Sequence, residues 1–490
     1  MESLERAPLA AAMKAYAASG ALAFHTPGHK QGLGAHPLLR ALVTEEGLRE
    51  EVSLAEELDD LHRPEGCLKE AQDKAARLWG ADEAFFAVNG TTGAIHAMLM
   101  AALSPEDEVI VPRNIHRSVA GGLILSGARP VYVTPETDDE LGIAHGVTAE
   151  AVRCALEAHP SARAVMTVYP TYYGVAPELR EIAAAAHEKG LPLLVDEAHG
   201  AHLRFSDELP PDALSCGADL AAQSTHKLLG AMTQASVLFR KGGRVSPERV
   251  RRAMSLLSTT SPNYLLMASI DVARLQMEEE GAARVDRAVG LAEELRAAIN
   301  KLPGLWCFGR ERMKGAGAAA LDVTKLTVNV SGLGLSGEEA MRCMRGKGIQ
   351  AELADARNVL FIVSMADTEK ETERLLAALT ALSMEYAERR EASVLSVSLP
   401  PTLPVALSPR EAFFSEQESA PLEKAVGRVA AEEVTFYPPG IPAVVPGERI
   451  TEEEVAYLRE MARMGLKVTG PRDPSLSTIC VVKQGALWEN

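Results

Sequence analysis

Cysteine is sparse in this 490-residue chain: Cys67, Cys154, Cys216, Cys307, Cys343 and Cys480 are scattered, with no CxxC pair among them. Neither a disulfide framework nor a zinc site is indicated, and a reducing cytoplasm is expected. Positive charge is also short. Fifty Lys and Arg against 67 Asp and Glu leave a net charge of −17, which argues against nucleic acid as a partner, suits solubility and mildly favours cationic substrates. No apolar run reaches the length of a membrane span, so no membrane is expected. The opening MESLERAPLAAAMKAYAASG carries charge of both signs and lacks a signal-peptide layout. Internal repeats are missing, and alanine patches such as 183–186 read as helix faces. What remains is 47% hydrophobic, enough to build two or three domains around a large core.

The hydrophobic pattern divides the chain. Residues 1–35 read as an N-terminal arm, and within 36–275 strand candidates at 84–88, 108–112, 130–133, 164–169, 192–195 and 218–223 alternate with helical stretches. Such alternation means α/β with a mostly parallel sheet. A long helical pattern from Tyr264 to about Leu302 leads into a small α+β domain, 276–390, with strand candidates at 325–330 and 359–363 and a helix at 368–386. Three prolines within 400–404 mark a linker, 391–404. Behind it, residues 405–490 form a C-terminal α+β domain whose helices start at capping boxes, Ser408-Pro409-Arg410-Glu411 and Thr451-Glu452-Glu453-Glu454.

Chemistry concentrates in three segments. In AQSTHKLLGAMTQAS, residues 222–236, Lys227 is followed by Leu228, Leu229, Gly230, Ala231 and Met232 rather than by charges. Apolar surroundings depress an amine pKa and make it nucleophilic towards carbonyls. Ser224 and His226 stand beside it as donors to a phosphate; an ordinary surface lysine is the alternative for this stretch by itself. Upstream, Leu193-Leu194-Val195 reads as a buried strand that delivers Asp196 at its carboxyl end, where open α/β sheets bind ligands. An Asp there can pair with the pyridinium nitrogen of pyridoxal phosphate and keep the ring protonated as an electron sink. Metal ligation by His199 and His202 is the rival, but no further Cys or His at ligand spacing completes a set. The third segment is the turn Asn89-Gly90-Thr91-Thr92-Gly93 between a strand and a helix. Backbone N–H groups, the helix dipole and the Thr91 and Thr92 hydroxyls make an anion site there, or else simply a capped helix start. The turn matches neither GxGxxG nor the P-loop, so a dinucleotide or ATP is not indicated.

In their order and separations these segments resemble the fold-type I pyridoxal-phosphate enzymes, and specifically the ornithine/lysine/arginine decarboxylase family. VDEAHGAH, VNGTTGAIHA, VPRNIHRS, YPTYYG, HTPGHKQG (25–32), TTSPNY (259–264) and PPGIPAVVPGE (438–448) all resemble its blocks. Likeness runs from about residue 20 to residue 448. The resemblance implies an aspartate-aminotransferase-like large domain over 36–275 that binds pyridoxal phosphate. It makes Lys227 the Schiff-base lysine and Asp196 the partner of the pyridine nitrogen. Gly90, Thr91, Thr92, Ser224 and His226 would hold the phosphate, His116 would stack on the ring, Ala198 would pack beneath it, and His199 would fix the Asp196 carboxylate. Outside the family context His116 reads as a helix cap. Thr260 would reach the phosphate of a neighbouring subunit, giving a homodimer with shared sites.

The implied reaction is decarboxylation of a basic amino acid. The carboxylate must leave perpendicular to the cofactor ring, and Lys227 or His226 then returns a proton to Cα. Only about 80 residues precede the first clear strand, whereas larger family members carry a receiver-like N-terminal domain. That likeness to compact biosynthetic members favours arginine, converted to agmatine, over lysine and ornithine, and puts the large acid-inducible assembly of some relatives in doubt. An aminotransferase, with Arg357 holding the substrate carboxylate, and a non-catalytic cofactor-binding protein are the rival readings.

Overall fold

The computed structural model of the chain describes residues 2–53, 55–386, 402–437, 441–463 and 466–485. Seven strands form its main sheet: β1 Glu83–Ala87, β2 Glu108–Pro112, β3 Arg129–Val133, β4 Ala164–Val168, β5 Leu193–Asp196, β6 Leu220–Gln223 and β7 Ser236–Arg240. Their order is β1-β7-β6-β5-β4-β2-β3. Strands β2 to β6 pair in parallel, and β7 runs antiparallel to both of its neighbours. Every residue of β5, β6 and β7 is buried, as a sheet covered by helices on both faces requires. Six of these strands fall where the alternation predicts them. The seventh, β7, was not anticipated: SVLFR follows the lysine segment so closely that turn and strand merge into one stretch of sequence.

The N-terminal segment departs from an arm. Helix α1, Pro8–Ala18, buries Leu9 and Met13 in the large core, and the Leu9 N–H donates to Asp271 at 3.1 Å. Arg274 clamps the same junction, donating to the Arg6 carbonyl at 2.6 Å and to Asp271 at 2.7 Å. Arm-like behaviour begins only beyond it, where Leu22, Phe24 and Leu33 are 82%, 93% and 83% exposed.

Two helices open on the carboxyl edge of the sheet, α2 Gly90–Ala102 after β1 and α3 Arg117–Ser126 after β2. The 36-residue helix α4, Tyr264–Ile299, then links the two lobes. Its first half puts Tyr264, Met267 and Met277 into the large core, and its last turns put Leu291, Leu295 and Ile299 into the small one. A boundary at 275/276 therefore cuts through one continuous helix. The small domain's sheet joins β8 Trp306–Cys307, β9 Lys325–Asn329, β10 Leu353–Ala354 and β11 Asn358–Ile362 in the order β8-β9-β11-β10, all antiparallel. Helix α5, Glu369–Tyr386, packs Leu379 and Leu382 on it.

Most of the expected linker lies outside the described residues. Beyond it, helix α6, Pro409–Phe414, begins with a complete capping box between Ser408 and Glu411. Strand β12 Gln417–Pro421 pairs with β16 Thr478–Val482, and β13 Val434–Tyr437 is flanked by β14 Pro442–Val444 and β15 Lys467–Thr469. Helix α7, Glu452–Arg463, covers them. The second expected capping box is only half formed. The Glu454 N–H donates to Thr451 Oγ1 at 3.1 Å, but the Glu454 carboxylate is buried with both oxygens unpartnered. Docking of this domain centres on Arg113, the residue after β2. Its guanidinium donates to the carbonyls of Pro442 (2.6 Å) and Ala443 (2.7 Å) and to Glu448 (3.1 Å). Among the described residues no helix is long and apolar enough to cross a membrane.

Candidate active site

A cavity of about 330 Å³ opens at the carboxyl edge of the main sheet and is walled by all three domains. Gly90, Thr91, Thr92, His116, Asp196, Ala198, His199, Ser224, His226 and Lys227 line it. Thr260 does not; it lies exposed in the loop before α4.

The start of α2 supplies the anion-binding corner. Gly90 takes φ of +65° with open space where a Cβ would stand, which suits a glycine at a turn feeding N–H groups towards a ligand. The neighbouring hydroxyls are already engaged. Ser236 spends its single proton on the Gln223 carbonyl at 2.7 Å, so Thr91 donates to Ser236 at 2.8 Å and Ser224 donates to Thr91 at 2.5 Å. This relay stitches α2 to β6 and β7. An anion is left with the backbone N–H groups and the Thr92 hydroxyl, and gains the Ser224 proton only if the Thr91 bond is given up.

Lys227 sits in the one-turn helix Thr225–Leu228 directly after β6. Its amine is 2.9 Å from His199 Nε2 and 5.3 Å from the Tyr172 ring centre. Burial lowers its pKa, while Asp196 and Glu352 pull the other way and Lys325 adds to the lowering. Asp196 ends β5 with one donor, the Ala198 N–H at 3.1 Å, and burial raises its carboxyl against the pull of Lys227. The expected bond from His199 to Asp196 is not formed. His199 turns to Lys227 instead and packs on Tyr172, ring centres 4.3 Å apart, and burial keeps it uncharged. His202 faces Asp322 at 3.2 Å, so the two histidines of DEAHGAH serve different partners.

Of the two roles weighed for it, His116 fills the helix cap. Its Nδ1 accepts the Ser118 N–H at 3.2 Å and so caps α3, while the ring lines the cavity. Burial, aided by Lys227 and Arg117, brings its pKa down to about 4. His226 donates from Nδ1 to the Ala235 carbonyl at 2.8 Å, since a carbonyl only accepts. Arg357 also lines the cavity, with Nη1 donating to the carbonyls of Asp139 (2.7 Å) and Glu140 (2.8 Å).

Residues 7–371 match the Orn/Lys/Arg decarboxylase major domain, and residues 399–471 match the Orn/Lys/Arg decarboxylase C-terminal domain. The chain belongs to the Orn/Lys/Arg decarboxylase family. It is 43% identical to the arginine decarboxylase of Bacillus subtilis (strain 168) over 98% of this chain and 99% of that one. To the arginine decarboxylase of Bacillus anthracis it is 44% identical over 97% of each. Among solved structures, the Francisella novicida lysine decarboxylase LdcF superimposes with a TM-score of 0.85 at 22% identity, over 99% of this chain and 81% of that one. That likeness establishes a shared fold.

Several parts of this decarboxylase's site carry no role in the sequence reading. Tyr172 belongs to the YPTYYG block, yet nothing local shows that its ring meets His199. Asp355 accepts from the Tyr173 hydroxyl at 2.7 Å across the interface between large and small domains. The far wall is apolar and comes from the C-terminal domain: Phe436, Ile441, Tyr457, Met461 and Leu466. Residues some 200 positions from Lys227 reach its cavity through the docking of this domain, at Arg113 and also at Arg410 and Arg129.

Proposed function

We propose that this decarboxylase binds pyridoxal phosphate covalently through Lys227 and releases carbon dioxide from L-arginine to give agmatine. The observation that carries the cofactor reading is the amine of Lys227 in a buried cavity with Asp196, His116 and the start of α2. The donor set fits: N–H groups and Thr92 for a phosphate, a buried carboxylate short of partners for a ring nitrogen, an uncharged imidazole for a ring face. When bound, the cofactor supplies an electron sink for the pair left at Cα. Asp196 holds the proton at the ring nitrogen, and burial keeps that interaction strong. His116, neutral above about pH 4, offers a flat face with no charge to repel the ring. Lys227 and His226 both line the cavity, which supports either as the holder of the proton that Cα takes up. Arg357 spends Nη1 on two carbonyls, and the family match supports decarboxylation over the aminotransferase reading.

Arginine as substrate rests on the near full-length likeness to two arginine decarboxylases at 43% and 44% identity. A homodimer with Thr260 lent to the partner's phosphate site belongs to the same reading, as does a cytoplasmic setting for six free thiols. The test is carbon dioxide release from arginine, lysine and ornithine, side by side at saturating pyridoxal phosphate. The highest kcat/KM is expected for arginine; a higher value for lysine or ornithine overturns the substrate, and transamination without carbon dioxide overturns the reaction. Borohydride should fix the cofactor on Lys227, read as a mass tag.

A further inference from the structure

A buried polar atom without a hydrogen-bond partner is costly, so a fold that keeps one does so for a reason. His199 is 5% exposed, and its Nδ1 has no partner among the described residues. The ring spends its other nitrogen on the amine of Lys227, 2.9 Å from Nε2. The proposed reaction does not use that contact.

Adjacent parallel strands bring the two residues together. The Glu197 N–H donates to the Ala222 carbonyl at 3.0 Å, which carries the pairing of β5 and β6 one residue past the end of β5. The buried Glu197 carboxylate then locks the turn, accepting from the Ala213 N–H and the Gln223 amide, both at 2.7 Å. A Cβ at Gly200 would meet Glu197 Cγ at 2.6 Å, so the residue after His199 must be glycine for the turn to close on that side chain. Tyr172 holds the ring from the other side, with centres 4.3 Å apart. The loop that carries Tyr172 is itself tied down, since the neighbouring Tyr173 hydroxyl donates to Asp355 at 2.7 Å. The same Tyr172 ring faces the amine, 5.3 Å from its centre, an arrangement that suits the amine while it is charged.

A charged amine has hydrogens to give and no lone pair. Towards it the ring can only accept, with its own proton on Nδ1. Once uncharged and kept in the same bond, the amine still gives one hydrogen to Nε2, and its lone pair stays out of that bond. That lone pair is what attacks a carbonyl. The opposite tautomer would donate into the lone pair and occupy it. We infer that His199 is a positioning residue for Lys227: Nε2 holds one amine hydrogen, fixes the direction of the side chain and leaves the lone pair free for the cofactor's aldehyde. The inference rests on Lys227 being the cofactor lysine. It also gives the unpartnered Nδ1 its reason, because turning the ring to satisfy that nitrogen would take Nε2 off the amine.

The experiment follows covalent attachment of pyridoxal phosphate to the cofactor-free full-length chain by stopped-flow absorbance. The Kd of deoxypyridoxine phosphate, which lacks the aldehyde, is measured beside it and reads the pocket alone. His199→Gln, His199→Asn and His199→Phe are compared with the parent, because a Gln amide reaches the place of Nε2 and an Asn amide only that of Nδ1. Attachment should slow by about tenfold in the Asn and Phe variants, as for one lost hydrogen bond, and stay within about threefold of the parent in His199→Gln. The Kd for deoxypyridoxine phosphate should not move. The Asn variant carries the comparison if His199→Phe fails to fold. Attachment as fast in the Asn variant as in the parent overturns the inference, and so does an equal loss in the Gln variant. A slowing matched by equally weakened binding of deoxypyridoxine phosphate overturns it too, since His199 would then belong to the cofactor pocket. Borohydride trapping of pyridoxal phosphate in the parent separates the two failures. A tag on another lysine overturns the functional reading and this inference together, whereas a tag on Lys227 with unchanged attachment rates overturns the inference alone.

Discussion

Asp196 is a buried carboxylate with a single backbone donor, so its charge is stabilised mainly by what stands opposite. Replacing it by alanine should leave the cofactor attached to Lys227 while removing a positioned electrostatic partner, a loss of about 3 kcal/mol of transition-state stabilisation, or roughly 10²-fold in kcat. Carbon dioxide release with the covalently bound cofactor quantified in the same samples checks this; loss of the cofactor itself would assign Asp196 to binding instead. At this scale much of the cavity was legible, because Asp196, Lys227 and His116 each follow a buried strand at its carboxyl end. The hydroxyl relay was not. Whether Thr91 and Ser224 face a ligand or each other depends on Ser236, an unanticipated residue of β7 that takes their donors in sequence. His199 likewise turned to Lys227 rather than Asp196, a choice made by the packing of Tyr172.

Helix α7 shows how a local signal is overridden by its surroundings. Thr451 to Glu454 reads as a capping box, and the first half forms, but the Glu454 carboxylate is drawn inward beside Arg113 and Glu448. Burial raises it to about 8, with Glu448 and Glu453 adding to the rise and Arg113 opposing it. A carboxyl whose folded pKa lies above its unfolded value makes the native state bind the extra proton. Stability therefore falls as pH rises from the ordinary carboxylate range towards 8. Glu454→Gln should gain about 4 kcal/mol over the parent at pH 8 and less than about 1 kcal/mol at pH 5. Urea titrations at the two pH values check it; an equal effect at both would show that the side chain is not titrating in the fold.

Across the whole molecule, the exposed loop bearing Thr260 and the exposed apolar side chains of Leu22, Phe24 and Leu33 support a second copy as their partner. If Thr260 serves the neighbouring site, mixing a Lys227→Ala chain with a Thr260→Ala chain restores one intact site per mixed dimer. Activity well above either parent variant is expected, and none beyond them would end the idea of sharing. The sequence by itself determined the layers: alternating apolar runs called for a helix-covered parallel sheet, and the strand ends placed lysine, aspartate and histidine on one edge. Those signals are local, since burial and helix periodicity are written within a dozen residues. Tertiary structure alone decided which donors remain for a ligand, that α4 is one helix through two cores, and that residues around 436–466 wall the cavity. Each of these rests on contacts between segments far apart in the chain, whose pairing no local pattern encodes.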